Sequence, residues 1–548
     1  MDTLKVCFTK NKFKFLLVIA MVFCGLCQLI LTEYFTIFEG KLHMGVDSSW
    51  NYLKVIVGAR ENVIYSTQYM NGTTQPEFER LIFAIPLYKL LGNVFLAYGL
   101  TNLIITGLCI LLIVKIAKKY SFGIVETLIV INLFLCPYLA NGYNRINDLG
   151  YYEAVNGFAA FYNVSVLSIL LIIYFFSLKT FDKHTIIVGL ITIVVLGYGC
   201  MAKGLGMLIW IGAPIIVYIC VSAFIANDIK SCLKWKNIFL LLFVVAMYAG
   251  RMIGNLFAFD YKDESIKWIS ASDLWKNLSN ILAAFFTLFG GLPNEGIQRA
   301  PLSFFGLVYC FGLIITIVFF IGIIYTSKQV LMKKDTSENS IFLLIVIATN
   351  IVLFSLLETS DVSAPFGERY LIPAAIAGFL LIGNYIYSLD KKLLYRKCGV
   401  VILFISIAMM DLYSDYLLAI TDNSFLKVDE YSEIIETTDA GLVYFWDSEK
   451  NLMETERVLR VIDTDRIYKS ISWENQLENF GDYTYYDDSA KYTGATVLVT
   501  NVTDSPVPAD VLKAYDSIGQ IGDTMVYYCK TNPIDIKCMV AEDVKSGN

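Results

Sequence analysis

The chain has 548 residues, of which 56% are hydrophobic and only 17% are charged. A soluble core of ordinary size could not bury that apolar fraction, so the composition excludes a soluble globular protein. Polybasic runs and RNA-binding motifs are absent from the sequence, which argues against nucleic acid as a partner. We therefore expect a polytopic α-helical membrane protein, with membrane lipids around most of its surface.

Apolar segments recur along the first three quarters of the chain. A helix needs roughly 20 apolar residues to cross a hydrocarbon core of about 30 Å. About eleven segments approach this length and predict transmembrane helices, at residues 13–32, 93–114, 123–140, 157–178, 185–200, 205–226, 237–257, 302–326, 340–357, 371–388 and 398–417.

The distribution of lysine and arginine predicts the orientation, because cytoplasmic loops retain these residues. With the N-terminus in the cytoplasm, the inner connections carry most of the cations, including Lys115, Lys118, Lys119, Lys179, Lys183, Lys230, Lys234, Lys236, Lys328, Lys333, Lys334, Lys391, Lys392, Arg396 and Lys397. Three short outer connections hold one cation each, namely Arg145, Lys203 and Arg369. We expect a plasma membrane protein, most simply a bacterial one, in which these three cations serve a function outside the cell.

The sequence predicts two domains. Residues 1–420 form the membrane domain, with outer loops at 33–92, 141–156, 258–301 and 358–370. The C-terminal domain, residues 421–548, carries 24 acids and 11 bases from Asp422 onward, a net charge of −13 that suits a solvated extracytoplasmic domain.

Short β-rich runs and helical patches alternate in the C-terminal domain, which predicts a small α/β fold. We expect strands at 442–446, 458–462, 495–500 and 525–529, and helices near 429–436 and 509–518. No metal-ligand or phosphate-loop spacing occurs there, so we interpret this domain as a binding or shielding module without catalytic residues.

Cysteine and histidine offer little for a metal centre. The two histidines of the chain argue against a histidine-rich zinc or iron site. Cys529 and Cys538 both lie in the C-terminal domain, where they form a disulfide or stay free thiols according to the redox state of the compartment.

Asp47 follows the first apolar segment in the run His43-Met44-Gly45-Val46-Asp47-Ser48-Ser49-Trp50. Ser48 and Ser49 could orient its carboxylate, and the aromatic residues nearby could stack on a sugar. The alternative is a solvated loop aspartate. The same loop contains three further acids, Glu61, Glu77 and Glu79, which we expect to be surface charges.

The outer turn between residues 141 and 153 is dense in polar and aromatic side chains. Arg145 could neutralise a phosphate, while Asp148 or Glu153 could bind hydroxyls or join Asp47 around a divalent cation such as Mg²⁺ or Mn²⁺. The competing interpretation is an ordinary loop between helices.

Two further cations lie at the ends of predicted spans. Lys203 precedes Gly204 with almost no loop around it, so its ammonium group either extends to the interface or contacts an anionic headgroup or phosphate. Arg369 opens a late span, where it could grip a phosphate with two N–H groups or pair with Glu368 or Asp361.

These positions resemble the GT-C superfamily of integral-membrane glycosyltransferases, which includes protein O-mannosyltransferases and bacterial lipid A aminoarabinose transferases. Their early acidic residue is matched by Asp47 and their Lys-Gly pair by Lys203-Gly204. Their Arg-Tyr-x-x-Pro run is matched by residues 369–373. Many relatives have a second acid directly after the first, whereas this chain has Ser48 at that position. The second acid therefore stays open between Asp148 and Glu153, and the requirement for a metal stays open as well.

The resemblance implies transfer of a sugar from a polyprenyl phosphate to an extracytoplasmic glycan, lipid or protein. Asp47 would be the general base, and the cations Lys203, Arg369 and Arg145 would bind the phosphate, with Tyr370 beside them. Two alternatives remain: a flippase or transporter for a lipid-linked oligosaccharide, and a polysaccharide polymerase or ligase. Charges that collect at one membrane face favour surface chemistry over transport.

Overall fold

The computed structural model describes residues 2–65, 69–70, 78–139, 150–226, 234–256, 267–292, 300–334, 337–358, 368–389, 394–446, 450–471, 481–482, 492–502 and 507–534. Arg145, Asp148 and Cys538, which the sequence analysis singled out, lie outside these ranges.

Long apolar helices form the membrane domain, and within the described residues nine of them are long and apolar enough to cross a membrane. The helices are α1 (Asp2–Phe38), α2 (Val46–Glu61), α3 (Leu81–Leu91), α4 (Val94–Lys119), α5 (Ile124–Leu135), α6 (Gly150–Val155), α7 (Asn163–Ser177), α8 (Lys183–Lys203), α9 (Leu205–Met207), α10 (Ala213–Ala226), α11 (Trp235–Asn255), α12 (Leu274–Leu288), α13 (Phe304–Leu331), α14 (Glu338–Leu356), α15 (Ile372–Ser388) and α16 (Leu394–Ile420). A π-helical turn at Leu208–Gly212 joins α9 to α10 without a loop. The predicted class, a polytopic helical membrane protein, is confirmed.

Two of the eleven predicted spans coincide with shorter helices. The segments at 123–140 and 157–178 contain α5, of 12 residues, and α7, of 15 residues. At about 1.5 Å per residue these helices are shorter than a hydrocarbon core of about 30 Å. The count of about eleven spans therefore stays a prediction.

Helices α8 and α11 pack with almost no space between their backbones. A methyl group added at Gly250 would lie 2.1 Å from Gly197 O, and one added at Gly254 would lie 2.2 Å from Met201 O. Small residues four apart allow such close packing between membrane helices. The contact fixes the end of α8, whose last residue is Lys203.

The C-terminal domain is built on a five-stranded sheet in the order β5-β4-β7-β9-β8. Its strands are β4 (Leu442–Trp446), β5 (Ile467–Ile471), β7 (Thr496–Asn501), β8 (Asp516–Ile521) and β9 (Thr524–Cys529), with helices α17 (Val428–Glu436), α18 (Lys450–Ile462) and α19 (Ala509–Leu512). Strand β4 runs parallel to β5 and β7, whereas β9 is antiparallel to β7 and β8. The predicted α/β fold is confirmed.

Two predicted elements of this domain differ from the structure. Residues 458–462, predicted as a strand, form the end of α18, because the preceding residues continue an amphipathic helical pattern. Residues 509–518, predicted as a helix, contain only the short α19 before β8 begins at Asp516. Cys529 is a free thiol here.

Short two-stranded ribbons tie distant segments together. Strand β1 (Tyr69–Met70), in the loop after α2, pairs antiparallel with β6 (Gly481–Asp482) of the C-terminal domain. Strand β2 (Lys267–Trp268) pairs in the same way with β3 (Leu357–Glu358). The C-terminal domain thus contacts the end of the bundle where α1 ends, and we call this the domain end.

Candidate active site

Several helices begin or end together at the domain end. Helix α1 ends at Phe38, α4 begins at Val94, α7 begins at Asn163 and α8 ends at Lys203. The Asn163 amide donates to Asn102 Oδ1 at 3.3 Å, which ties α7 to α4. Helix α2 packs against α3, α4 and α18 at this end, so side chains from separate parts of the sequence meet there.

A buried ion cluster, formed by Glu79, Arg80 and Lys203, lies at the centre of the domain end. Lys203 Nζ is 3.7 Å and Arg80 Nε is 4.0 Å from Glu79 Oε1. These residues are at most 2% exposed. Two cations therefore share one carboxylate inside the protein, which leaves this cluster with a net positive charge.

Local backbone geometry explains the position of Lys203. Gly204 has φ of +56°, a conformation that favours glycine, and it lets the chain turn from α8 directly into α9. A cation at the C-terminal end of a helix is stabilised by the helix dipole. The ammonium group also lies 5.0 Å from the centre of the Tyr162 ring. Lys203 is thus buried against protein groups instead of extending to the surface.

Arg80 is held on several sides, yet part of its guanidinium has no partner. One nitrogen donates to Asn51 Oδ1 at 3.1 Å, and the group lies 5.9 Å and 5.8 Å from the Tyr98 and Phe161 rings. Arg80 Nε and Nη1, together with Glu79 Oε2, are buried without a hydrogen-bond partner. Unmatched buried groups are costly, so each of these atoms needs an explanation.

Tyr52 extends the polar region beside Arg80. Its ring is completely buried, 4.7 Å from the Tyr98 ring, and its hydroxyl has no hydrogen-bond partner. Burial, reinforced by Tyr98 and Glu153 and opposed by Arg80, raises the pKa of the Tyr52 phenol well above its usual value. The phenol therefore stays neutral and can both donate and accept a hydrogen bond.

Glu33, near the end of α1, adds another unmatched acid. Both of its carboxylate oxygens are buried without a hydrogen-bond partner. They lie against Gly99 of α4, where an added methyl group would be 3.2 Å from Glu33 Oε2. Its electrostatic influence reaches Tyr52 and Tyr152. Glu33 therefore belongs to the same polar region.

Asp47 lies in the first turn of α2, which begins at Val46. The Gly45 N–H donates to Ser48 Oγ at 2.8 Å, and that hydroxyl lies 3.2 Å from Gly45 O. Ser48 therefore fixes the helix start, and its predicted role in orienting the carboxylate stays a prediction. The positive end of the helix dipole favours a negative charge in this turn. The Asp47 side chain lies outside the described part of the structure, so its role as base stays a prediction.

Arg369 and Tyr370 lie in a 3₁₀ turn, Glu368–Leu371, that packs against α6 and α12. The Arg369 guanidinium is exposed and lies 5.7 Å from the Tyr370 ring, which stacks on Phe354. The contacts described for these two residues do not include the buried ion cluster. Their predicted role in phosphate binding stays untested.

Glu153 is the predicted second acid that the structure describes. It lies half-buried in α6 and acts electrostatically on Tyr52, which places it near the buried ion cluster. The other predicted acid, Asp148, and the cation Arg145 lie outside the described residues. In the described part of the chain, no group of three or more His, Cys, Asp or Glu side chains could hold a metal ion, so the divalent cation stays a prediction.

Sequence reasoning missed the most buried charges of this end. Glu79 was expected to be a surface charge and is 2% exposed, and Arg80 was not singled out although it is 1% exposed. One signal was available: this adjacent charged pair directly precedes the apolar helix α3. A charged pair at such a boundary is costly unless it is partnered or functional.

Comparison with known proteins places the fold. No protein-family model matches the chain, and no curated protein matches it significantly in sequence. Two crystal structures of ArnT from Cupriavidus metallidurans match in structure, each with a TM-score of 0.54 at 11% sequence identity. The match to the structure bound to undecaprenyl phosphate covers 92% of this chain and 97% of the ArnT chain. The match to the apo structure covers 95% of this chain and 98% of the ArnT chain.

A cryo-electron microscopy structure of arabinofuranosyltransferase AftD from Mycobacteria matches 94% of this chain and 40% of its own, with a TM-score of 0.42 at 11% identity. The ArnT matches extend over both the membrane domain and the C-terminal domain. The chain is therefore a multi-pass membrane protein with the fold of ArnT.

Proposed function

We propose that the protein is a membrane glycosyltransferase that moves a sugar from a polyprenyl phosphate to an acceptor hydroxyl at the domain end. The observation that carries this proposal is the buried ion cluster, in which two cations share one carboxylate and Arg80 Nε and Nη1 are unmatched. The fold supports it, since one ArnT structure of the same fold is bound to undecaprenyl phosphate.

A phosphate oxygen would accept a hydrogen bond from the unmatched Nη1 of Arg80. Lys203 would supply a second positive charge from the end of α8. When the bond between the sugar and the phosphate breaks, its electron pair goes to the phosphate oxygen. Fixed donors in a dry site stabilise this new charge, at about 3 kcal/mol for each well-placed donor.

Asp47 is the general base in this proposal. It takes the proton of the acceptor hydroxyl while the acceptor oxygen attacks the anomeric carbon from the face opposite the phosphate, so the configuration inverts. Helix α2 supports this assignment because it carries Asp47 in its first turn and Asn51, which binds Arg80, one turn later. One rigid element would then set the distance between base and phosphate site.

The remaining polar groups suit the hydroxyls of a sugar. Tyr52 offers a neutral phenol, and Glu33 and Glu153 offer carboxylates that can accept hydrogen bonds. In the proposed orientation the domain end faces away from the cytoplasm and the N-terminus lies inside. The acceptor is then a glycan, lipid or protein outside the cell.

A transfer assay tests the proposal. Purified protein in lipid nanodiscs would receive a panel of radiolabelled polyprenyl-phosphate sugars together with envelope extracts as acceptors. We expect release of polyprenyl phosphate with transfer of label, and a loss of at least about a hundredfold in Asp47→Asn. Movement of an intact lipid-linked sugar across the bilayer without release would instead support the flippase. Repeated addition to a growing lipid-linked chain would support the polymerase.

A further inference from the structure

A buried arginine of the C-terminal domain lies against helix α2 of the candidate active site. The Arg457 guanidinium, on α18, lies 4.6 Å from the centre of the Trp50 ring on α2. Arg457 is 2% exposed, so the contact is shielded from water. A desolvated guanidinium over a tryptophan face is the strongest arrangement of the cation–π type.

Helix α18 is a rigid carrier for this arginine, because it is packed on two faces. Val458 and Val461 lie in the same apolar cluster as Tyr52 and Val55 of α2. Leu459, between them, belongs instead to the core of the C-terminal sheet. The Thr455 hydroxyl further donates to Leu426 O at 3.0 Å, which ties the helix to the segment after α16.

Helix α2 connects Trp50 to two residues of the candidate active site, so a change in the position of Trp50 also moves them. Asp47 precedes Trp50 by three residues, slightly less than one helical turn, and Asn51 follows it directly. The Asn51 side chain accepts a hydrogen bond from Arg80 at 3.1 Å, and its carbonyl oxygen accepts one from Tyr98 at 3.1 Å. Rotation or fraying at Trp50 would therefore displace both the base and a partner of the buried ion cluster.

Packing alone does not require an arginine here. Removing a guanidinium from water is costly, and an apolar side chain of similar volume is often neutral or stabilising at such a place. Arg457 therefore points to a need for orientation, since a planar cation fixes a tryptophan ring more closely than an aliphatic side chain does.

We propose that Arg457 is a positioning residue, by which the C-terminal domain holds the first turns of α2 in the geometry needed for transfer. The inference rests on the proposed function for its catalytic consequence. It gives the C-terminal domain a part in the reaction.

Substitutions at Arg457 and a matched control test this role. In Arg457→Gln we expect kcat to fall about tenfold or more, because a displacement of about 1 Å can cost about a hundredfold. The KM for the lipid-linked donor should change less than kcat, because Arg80 is also held by the Tyr98 and Phe161 rings. Arg457→Lys should recover part of the loss by keeping the charge. The control is Arg466→Gln, which removes a guanidinium that pairs with Asp463 and Ala440 inside the C-terminal domain.

A double-mutant cycle with Trp50 makes the test specific. If Arg457 acts through this ring, Trp50→Leu lowers kcat by a similar factor, and adding Arg457→Gln lowers it little further. Additive losses, an unchanged kcat in Arg457→Gln, or an equal loss in the Arg466→Gln control would each overturn the proposal.

Hydrogen exchange separates this inference from the proposed function. The amides of residues 46–52 should exchange at least about tenfold faster in Arg457→Gln than in the wild type or in Arg466→Gln, whatever the substrate. If Arg457→Gln does not fold, Arg457→Lys replaces it in the comparison. Absence of transfer by the wild type would remove the proposed function only, whereas unchanged exchange at these amides would remove the positioning role.

Discussion

The two ends of the helical bundle both bury ion pairs, and they do so differently. At the domain end, Glu79 lies 3.7–4.0 Å from two cations, and Arg80 keeps two unmatched nitrogens. At the opposite end, Arg396 contacts Glu126 directly and also donates to Ile386 O at 3.0 Å. We call the latter the lysine end, because α4 ends there at Lys119 and α8 begins there at Lys183.

Under the proposed function, the difference separates a binding arrangement from a structural one. One carboxylate matched to one guanidinium at short range fixes two helices and leaves little for a ligand. A cluster in which two more distant cations share one carboxylate has an excess positive charge. It also keeps hydrogen-bond donors that are not used. Both ion pairs lie inside the protein, so burial alone does not distinguish the two sites. They differ in whether each charge and each hydrogen-bond donor has a partner.

The largest effect on activity is expected from a substitution in the buried ion cluster at the domain end. Arg80→Gln removes the unmatched guanidinium and should lower kcat/KM for transfer by at least about a hundredfold, equivalent to about 3 kcal/mol. The control is Arg60→Gln, because Arg60 is half-exposed in the last turn of α2 and pairs with Glu61. Equal activity of the two variants would show that Arg80 does not act on the substrate.

The matching substitution at the lysine end should change stability instead. Arg396→Gln leaves Glu126 buried without its partner, which should lower the free energy of unfolding by about 3 kcal/mol. Transfer per folded molecule should stay within about twofold of the wild type. Unfolding in a denaturing detergent titration, beside the transfer assay, checks both values. A specific loss of transfer with normal stability would contradict the assignment of the two ends.

The two histidines sharpen the comparison through pH. His43, at the domain end, is buried between Phe35 and Phe158, and burial lowers its pKa to about 4. The unfolded chain binds a proton near pH 6.5, so the stability that the neutral imidazole provides is present above pH 6.5. It is lost as pH falls toward 4, by about 2 kcal/mol between pH 7 and pH 5.

Unfolding measured at both pH values in His43→Met should lack this part of the pH dependence. His184, at the lysine end, is exposed, so His184→Gln should keep the wild-type dependence. An unchanged slope in His43→Met would show that the unfolding transition does not depend on His43.

The smallest expected effect concerns the edge of the C-terminal domain. Lys41 and Asp429 form a salt bridge of 3.2 Å with side chains that are 44% and 78% exposed. Lys41→Ala should change the free energy of unfolding by less than about 1 kcal/mol, because exposed pairs are weak and screened. A larger destabilisation would mean that this pair, and not α18, holds the domain on the bundle.

The sequence predicted the fold class and identified one member of the buried ion cluster. Apolar length and charge asymmetry predicted the membrane domain, and the Lys203-Gly204 pair was recognised because a lysine beside a glycine between two apolar segments is unusual. Its buried partner, Glu79, could not be found in this way. The pairing joins residues 124 positions apart, and a local pattern does not report such a contact.

The failure at residues 458–462 has a related cause. Val458, Val461 and Ile462 are β-branched and have high strand propensity, which predicts a strand when these residues are considered alone. They continue the amphipathic helical pattern of the preceding residues, and the segment packs on two sides, between α2 and the C-terminal sheet. The longer pattern and the tertiary packing decide in favour of helix.

Direct binding of undecaprenyl phosphate tests the central claim, that the buried ion cluster of Glu79, Arg80 and Lys203 is a phosphate site. Affinity would be measured in nanodiscs for the wild type, Arg80→Gln, Lys203→Met and Arg396→Gln. We predict that the first two substitutions weaken binding by at least about tenfold, whereas Arg396→Gln changes it by less than about twofold. Equal dissociation constants for all four proteins would contradict the account.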